Sequence, residues 1–465
     1  MSEFDVIVIG AGPGGYVAAI RASQLGQSVA IVEKEFLGGV CLNVGCIPSK
    51  SLLKNAEVAH TLRERGKEFG FSFDNLKLDY GVALKRSRQV SNRLVKGVEF
   101  LMKKNKIEVH RGAAKLTGKD TVQVTGEDGS VSSLKGKHII VATGASPFII
   151  PGVEVDGKQV VTYKEAILQE SLPKSAVIIG AGAIGMEFAT IWNSYGVPVT
   201  VVEMLDRVVP AEDEEVSKEL AKALKKSGIK VLTGSKVTGV EKLKTKVKVK
   251  VEGADGETIL DTTQVLVAAS FVPNSKELGL EDAGVSLDQR GFIEIDDRMA
   301  TNVPGIWAIG DVTGKLMLAH VGMTQGIVCA EQIAGVETVT LNYQNMPRAT
   351  YCHPQIASFG MTEAQAVEAG HEVKLGRFNF QANGKALGLG DYAGFIKVVT
   401  DAKYGEILGA HMIGPEVTEL LPELTLAQLM ELTPAEISRN VHAHPTLSEA
   451  LLEAIESAAG HAIHS

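Results

Sequence analysis

The chain has 465 residues, 45% of them hydrophobic and 22% charged, with a formal net charge of -8. That size and balance suit a folded chain of roughly three domains and exclude extended disorder. The acidic balance argues against nucleic acid, which needs clustered Lys and Arg, and no apolar stretch approaches the ~18 residues of a membrane span. Ser2-Glu3-Phe4-Asp5 runs straight into an apolar strand with no basic and hydrophobic leader, so a cytoplasmic protein is expected.

Val6-Ile7-Val8-Ile9 reads as a buried parallel strand, followed by Gly10-Ala11-Gly12-Pro13-Gly14-Gly15, a helical pattern from Tyr16 to Leu25, and a second strand Val29-Ala30-Ile31-Val32 ending at Glu33. This is a strand, helix, strand unit in which Gly10, Gly12 and Gly15 form G-x-G-x-x-G, with an acid 23 residues after the first glycine. Directly after it comes Gly38-Gly39-Val40-Cys41-Leu42-Asn43-Val44-Gly45-Cys46-Ile47-Pro48-Ser49-Lys50. A disulfide closing so short a loop removes only about 2 kcal/mol of unfolded-state freedom, so stability is a weak reason for the pair Cys41 and Cys46. In a reducing compartment such a pair is more often catalytic or metal-binding, and here a redox role is expected. Cys329 and Cys352 stand alone and read as small buried hydrophobes.

A long helix is expected over 80–104, short strands between 107 and 135, a strand end and turn at Val141 to Pro147, and a crossover linker at Ile150-Pro151-Gly152. The first pattern then recurs: Val177-Ile178-Ile179, a turn with Gly180, Gly182 and Gly185, a helix through Tyr195, and Val199 to Val202 ending at Glu203, again 23 residues after the first glycine. One such match is weak evidence, but two with the same context predict two dinucleotide sites. The glycines permit a sharp bend and close approach to a pyrophosphate, which the helix N-terminus then binds. Glu33 and Glu203 can accept from ribose hydroxyls, and an acid at the second site repels a 2'-phosphate, favouring NAD over NADP. The competing reading is two acids merely solvated at strand ends.

Lys242, Lys244, Lys246, Lys248 and Lys250 alternate at period two with Thr245, Val247, Val249 and Val251 and read as one strand with a solvated lysine face, protected against edge pairing, rather than as a binding patch. Phe271-Val272-Pro273-Asn274 marks a return crossing, Ile306 to Asp311 another strand capped by an acid, and 342–348 a boundary. The remainder mixes strands (394–400, 407–413) with helices (418–430, 448–457), the pattern of an α+β domain.

The cysteine segment, Gly310-Asp311 and His442-Ala443-His444-Pro445-Thr446-Leu447-Ser448-Glu449 together resemble the flavin disulfide reductases, in order, from about residue 4 to residue 456. The resemblance implies an α/β chain of two Rossmann-like dinucleotide-binding domains plus a C-terminal α+β dimerisation domain. The implied division is 1–147 for FAD, 148–272 for NAD, 273–346 completing the FAD site, and 347–465 for the homodimer interface. It further implies FAD contacts from Glu33, Lys50, Gly112, Ala113, Thr143, Gly144 and Asp311, with Ala319 and His320 offering backbone to the flavin edge. NAD contacts would come from Glu187, Glu203, Val237 and Ala269 besides the second glycine turn, with Glu187 also the implied partner of Lys50. Cys41 would exchange with substrate sulfur and Cys46 face the flavin, while His444, supplied by the other subunit, is the thiol base and Glu449 fixes its tautomer. Lys50 would stabilise electron density on the flavin. On pattern alone, Thr446 to Glu449 also fits a helix capping box, with Glu449 returning to the Thr446 N–H.

The branch most resembled oxidises protein-bound dihydrolipoyl groups with NAD, as a component of 2-oxoacid dehydrogenase complexes. Lipoyl domains and an acyltransferase core are therefore the expected partners, and no metal is expected. Rival branches fit less well: glutathione reductases normally place basic residues at the position of Glu203, and mercuric reductases carry a C-terminal cysteine pair where this chain reads Gly460 to Ser465. Ala268-Ala269-Ser270-Phe271-Val272-Pro273 departs from the family's Ala-x-Gly-Arg-x-Pro, and His353-Pro354-Gln355 from its His/Thr-Pro-Glu. A chain that binds nucleotides only as a structural or sensing component is the alternative from another class, and the intact Cys41, Cys46, Lys50, His444 and Glu449 argue against it.

Overall fold

The strands Ser2–Ile9 and Val29–Glu33 pair in parallel, Val6 opposite Val29 and Ile9 opposite Val32. They lie in a computed structural model that describes residues 2–254 and 256–464; Ser465, the end of the tail considered above, falls outside them. Two compact units are present, each built from separated stretches of chain. The first comprises the residues up to Leu52, then Gly81–Phe148 and Ser270–Tyr343; the second comprises Leu53–Tyr80, Ile149–Ala269 and the chain from Gln344 onward.

In the first unit the sheet order is Glu108–Arg111, Val29–Glu33, Ser2–Ile9, Val131–Val141, then the meander strands Thr121–Thr125 and Ala113–Leu116. Val131–Val141 serves two partners along one edge: Leu134 faces Val122 antiparallel, while Ile139 faces Ile306 of the parallel strand Ile306–Ala308. Alternate residues feed two cores, which explains runs without polar alternation. Val6, Val8, Ile31 and Ile140 pack with Ala18, Val98 and Met102, whereas Ile7, Ile9, Val32 and Ile139 pack with Leu116, Val122 and Leu280. The helices Pro13–Gln24 and Ala319–Ala334 meet at glycine, since a Cβ on Gly326 would lie 2.6 Å from the Gly14 carbonyl oxygen.

In the second unit five parallel strands run in the order Lys230–Leu232, Val199–Val202, Ala176–Ile179, Gln264–Val267 and Val160–Val161. A second, antiparallel sheet orders Arg348–Thr350, Gln355–Gly360, Ile407–Gly414, Phe395–Asp401 and Val373–Asn379. The helices Val417–Leu429 and Glu449–Ala459 cover it, packing Leu421, Leu424, Leu451 and Ile455 with Phe359, Ile396 and Met412.

The lysine run is not one edge strand. It crosses a turn closed by Leu243 N–H to the Lys246 carbonyl, so that Lys242 ends one strand and Lys248 and Lys250 belong to the next, Val247–Gly253, which is central in a three-stranded sheet. Lys248 faces Glu241 on one side and Asp261 on the other, so its charge serves cross-strand pairing rather than edge protection. Among the described residues no helix is long and apolar enough to cross a membrane.

Candidate functional site

The two glycine turns are built alike. Gly10 and Gly180 have φ of 102° and 107°, and a Cβ on either would fall 2.4 Å from the Ala142 oxygen or 2.5 Å from the Ala268 oxygen. A Cβ on Gly15 would sit 1.9 Å from the Gly10 oxygen and one on Gly185 2.0 Å from the Gly180 oxygen. Only glycine is compatible with such approaches. Gly12 and Gly182 differ: each caps a helix without any side-chain hydrogen bond, and a Cβ there would meet nothing within 4 Å. Open space at a helix N-terminus with uncapped N–H groups is a cradle for a pyrophosphate.

Glu33 and Glu203 are not solvated strand-end acids. They are 9% and 8% exposed, and each closes its own turn: Glu33 Oε2 accepts from Ala11 N–H and Glu203 Oε2 from Ala181 N–H, both at 2.7 Å. The other oxygens accept from Glu35 N–H at 2.7 Å and Leu205 N–H at 2.8 Å. A carboxylate has about four lone-pair directions, so these bonds orient the acids and leave acceptor capacity for ribose hydroxyls.

After Glu33 the chain returns onto the turn, with Gly38 N–H donating to the Ala11 carbonyl at 2.8 Å and Gly39 so close that a Cβ would lie 2.6 Å from Gly12 Cα. Cys41 sits in the short helix Gly39–Asn43, and Cys46 opens the helix Cys46–Glu64. Asn43 ties the intervening loop, its amide donating to the carbonyls of Leu37 at 3.0 Å and Gly39 at 2.9 Å, and Arg88 donates to the Asn43 carbonyl. Neither sulfur is bridged, and the two thiols are hydrogen-bonded to each other. That hydrogen bond, followed by burial and the charge of Cys46, pushes the Cys41 pKa up, with Lys50 opposing. The proton of Cys41 is thus held more firmly than that of an ordinary thiol, and Cys46 stands at the N-terminus of its helix, where a negative charge is favoured.

The other residues expected beside FAD lie along the same unit. Gly112 (φ 150°) donates its N–H to the Glu33 carbonyl at 3.0 Å, and Ala113 begins the next strand. Thr143 and Gly144 are held by Asn274: Thr143 Oγ1 donates to the Asn274 carbonyl at 2.7 Å, Asn274 Nδ2 to the Thr143 carbonyl at 2.9 Å, and Asn274 N–H to the Gly144 carbonyl at 3.0 Å. Asp311 lies in the 3-10 turn Gly310–Thr313, where Gly310 N–H donates to Gln325 Oε1 at 2.6 Å. Burial raises the Asp311 pKa to about 6. A shielded carboxyl with no balancing cation among the described residues suits a hydroxyl-rich ligand, so together with the Gly12 cradle these residues fit a flavin dinucleotide. Ala319 and His320 are the first two residues of the helix Ala319–Ala334.

On the second turn, Ala269 is exposed beside Gly180, whereas Val237 is 7% exposed and packs into the core with Val202 and Val265, leaving its backbone as the part that can meet a ligand. Glu187, 6% exposed, accepts from Tyr351 N–H at 3.1 Å through Oε1.

Glu449 makes the backbone contact expected of it and also pairs with His444, but no capping box forms: it is the first residue of its helix, Ser448 is the cap residue, and no side chain caps the helix. Oε2 accepts from Thr446 N–H at 2.7 Å and Oε1 pairs with His444 Nδ1 at 2.8 Å. Burial opposes ionisation of Glu449, but these two partners overcome it and hold its pKa below the usual value. The His444 ring is 79% exposed, so Nδ1 is committed while Nε2 is presented outward. His442 is instead buried against Glu423, Nε2 to Oε1 3.1 Å, with Nδ1 on the Asn440 carbonyl at 2.8 Å. Asn43, Asn274 and Gln325 were not picked out as site residues from sequence: their amides act on backbone, which leaves no spacing signal. Among the described residues no three His, Cys, Asp or Glu side chains are grouped to hold a metal ion.

Residues 4–326 match the family described as pyridine nucleotide-disulphide oxidoreductase, and residues 346–455 match its dimerisation domain. Dihydrolipoyl dehydrogenases from Mycobacterium leprae and Corynebacterium glutamicum are each 53% identical, the first over 100% of both chains and the second over 99% of both. The crystal structure of LpdA from Mycobacterium tuberculosis superposes with a TM-score of 0.91 at 25% identity, covering 98% of this chain and 99% of that one.

Proposed function

Because the chain belongs to the pyridine nucleotide-disulphide oxidoreductase family, we propose that it oxidises protein-bound dihydrolipoyl groups to the lipoyl disulfide and reduces NAD+ to NADH. It is an oxidoreductase whose cofactors are FAD and NAD, and it carries the family's dimerisation domain. The observation that carries the substrate reading is full-length identity near one half to dihydrolipoyl dehydrogenases, joined to a pair of cysteines hydrogen-bonded to each other.

His444 Nε2, freed for chemistry because Nδ1 is committed to Glu449, takes a proton from a substrate thiol, and the resulting thiolate attacks Cys41 of the Cys41–Cys46 disulfide. Cys46 leaves as thiolate, supported by the N-terminus of its helix, and the second substrate thiol displaces Cys41 to close the lipoyl ring. Two electrons and two protons have then passed to the protein, the substrate dithiol being oxidised and the cysteine disulfide reduced. Bound FAD would supply the two-electron chemistry that links the reduced cysteine pair, on the Cys46 side, to NAD+. Lys50, one helical turn beyond Cys46, favours the electron-rich state beside it. Glu33, Gly10, Gly12, Gly15, Gly112, Ala113, Thr143, Gly144, Asp311, Ala319 and His320 hold FAD, and Gly180, Gly182, Gly185, Glu187, Glu203, Val237 and Ala269 hold NAD. His444 acts from the opposite subunit of a homodimer. The enzyme works in the cytoplasm, docked on the acyltransferase core of a 2-oxoacid dehydrogenase complex and served by its lipoyl domains.

The test is an anaerobic titration with dihydrolipoamide while the flavin spectrum is followed. Growth of a long-wavelength thiolate band, then NADH on adding NAD+, is the expected result; a flavin spectrum that does not respond overturns the dihydrolipoyl reading.

A further inference from the structure

The loop after each acid has been put to a different use. In the first unit it runs from Glu33 through Gly38, bonded to the Ala11 carbonyl, and delivers Cys41. In the second unit the corresponding loop leaves Glu203, and Val209 N–H donates to the Ala181 carbonyl at 2.9 Å, the same bond to the same residue of the turn. Val209 makes it at φ 41°, where a β-branched side chain is strained. Such a conformation persists only when its surroundings over-determine it, and here they follow within four residues.

Glu212 N–H donates back to the Val209 carbonyl at 2.9 Å, and its buried carboxylate accepts from Ser358 Oγ at 2.6 Å. Ser358 in turn accepts from Arg348 Nε at 3.2 Å. Asp213 caps the helix Glu214–Lys226 by accepting from Glu215 N–H at 3.0 Å, and Lys397 reaches its Oδ2 at 3.2 Å. The same ammonium bonds Glu215 Oε1 and Glu363 Oε2, each at 2.8 Å, although Lys397 is only 2% exposed. His411, fully buried on the neighbouring strand, completes the seam by bonding the Met361 carbonyl at 2.9 Å. Arg348, Ser358, Glu363, Lys397 and His411 all belong to the chain segment that matches the dimerisation domain. Replacing a buried ion cluster with apolar groups is often neutral or stabilising, so gross stability explains it poorly and fixed geometry explains it better.

We propose that Lys397 and Glu212 are positioning residues for the nicotinamide nucleotide, anchoring the strained Val209 loop so that Ala181 and the second glycine turn are held in their binding pose. The inference rests on the reading of that turn as the NAD site. The anchor acts through backbone and touches no reacting atom.

The experiment uses the FAD-loaded protein and two separate half-reactions in a stopped-flow instrument: flavin reduction by NADH over a range of concentrations, and flavin reduction by dihydrolipoamide. Lys397→Met and Glu212→Gln are expected to raise the NADH concentration for half-maximal rate at least tenfold while leaving the dihydrolipoamide rate within twofold of the parent. Lys397→Arg, which keeps the charge, is expected to restore most of the NADH affinity. Unchanged NADH dependence in both variants, or equal losses in both half-reactions, overturns the anchor. Should Lys397→Met fail to fold, the near-isosteric Glu212→Gln decides alone by the same criteria. A parent protein whose flavin ignores NADH instead defeats the reading of the NAD site itself.

Discussion

Asp311→Asn isolates the cost of keeping a carboxylate in the first unit. Burial moves the Asp311 pKa from 3.8 to about 6. A raised acid pKa means that the folded chain holds the proton more tightly than the unfolded chain does. Below about pH 3.8 both states are protonated and no cost arises; between pH 3.8 and 6 the unfolded state ionises first and stability falls; above pH 6 the full cost is present. At about 1.4 kcal/mol per pKa unit that cost is about 3 kcal/mol, an upper value because the side chain is intermediate in burial. The neutral amide avoids it. The FAD-stripped variant is expected to melt roughly 6–12 °C above the parent at pH 7.5, with the difference vanishing near pH 4. Differential scanning calorimetry at four pH values between 4 and 8 reads this directly. With FAD restored the order should reverse, since the amide replaces a charged acceptor for ligand hydroxyls, and flavin retention on dilution should fall. An equal melting shift at pH 4 and pH 7.5 would refute desolvation of a charge as the cause.

His444→Gln is expected to slow flavin reduction by dihydrolipoamide about 10²- to 10⁴-fold while leaving reduction by NADH nearly intact, as rapid mixing of each reductant with the oxidised protein would show; parallel losses contradict a role as thiol base. Cys41→Ala removes the S–H that donates to the Cys46 sulfur, so the pH midpoint of the long-wavelength thiolate absorbance should move upward. The glycines of one turn should separate cleanly: Gly15→Ala drives a Cβ to 1.9 Å from the Gly10 oxygen and should yield little folded, flavin-containing protein, whereas Gly12→Ala meets nothing and should fold normally but bind FAD at least tenfold more weakly. Circular dichroism and flavin-to-protein absorbance ratios distinguish the two.

Both dinucleotide units were legible because their turns demand glycine at fixed intervals and their strands are buried on both faces, so geometry leaves its mark in residue type. The cysteine segment was conspicuous for a related reason, since sulfur chemistry of the kind proposed needs particular atoms at a particular spacing. Glu449 was legible only as an ambiguity: its two oxygens serve the backbone and His444 together, and a pattern assigns one partner at a time. The lysine hairpin was misread because Lys244, Thr245 and Lys246 continue the alternation through a turn that contains no Gly, Pro or Asn. Lys397 gave no signal at all. It lies between Phe395-Ile396 and Val398-Val399 in a buried strand, and its carboxylate partners stand 184, 182 and 34 residues away in the chain.

The strand Val131–Val141 also bears on how the protein is made. Its last three residues acquire a neighbour on the open side only when Ile306, Trp307 and Ala308 arrive. On a ribosome adding about 5–20 residues per second, the interval between residues 141 and 308 lasts on the order of 10–30 s. Throughout it Ile139, Ile140 and Val141 present an apolar, unpaired edge, while residues 149–269, which belong to the other unit, are being produced. The first unit therefore cannot finish as it emerges, and a nascent chain halted before residue 306 keeps that edge open to any other strand it meets.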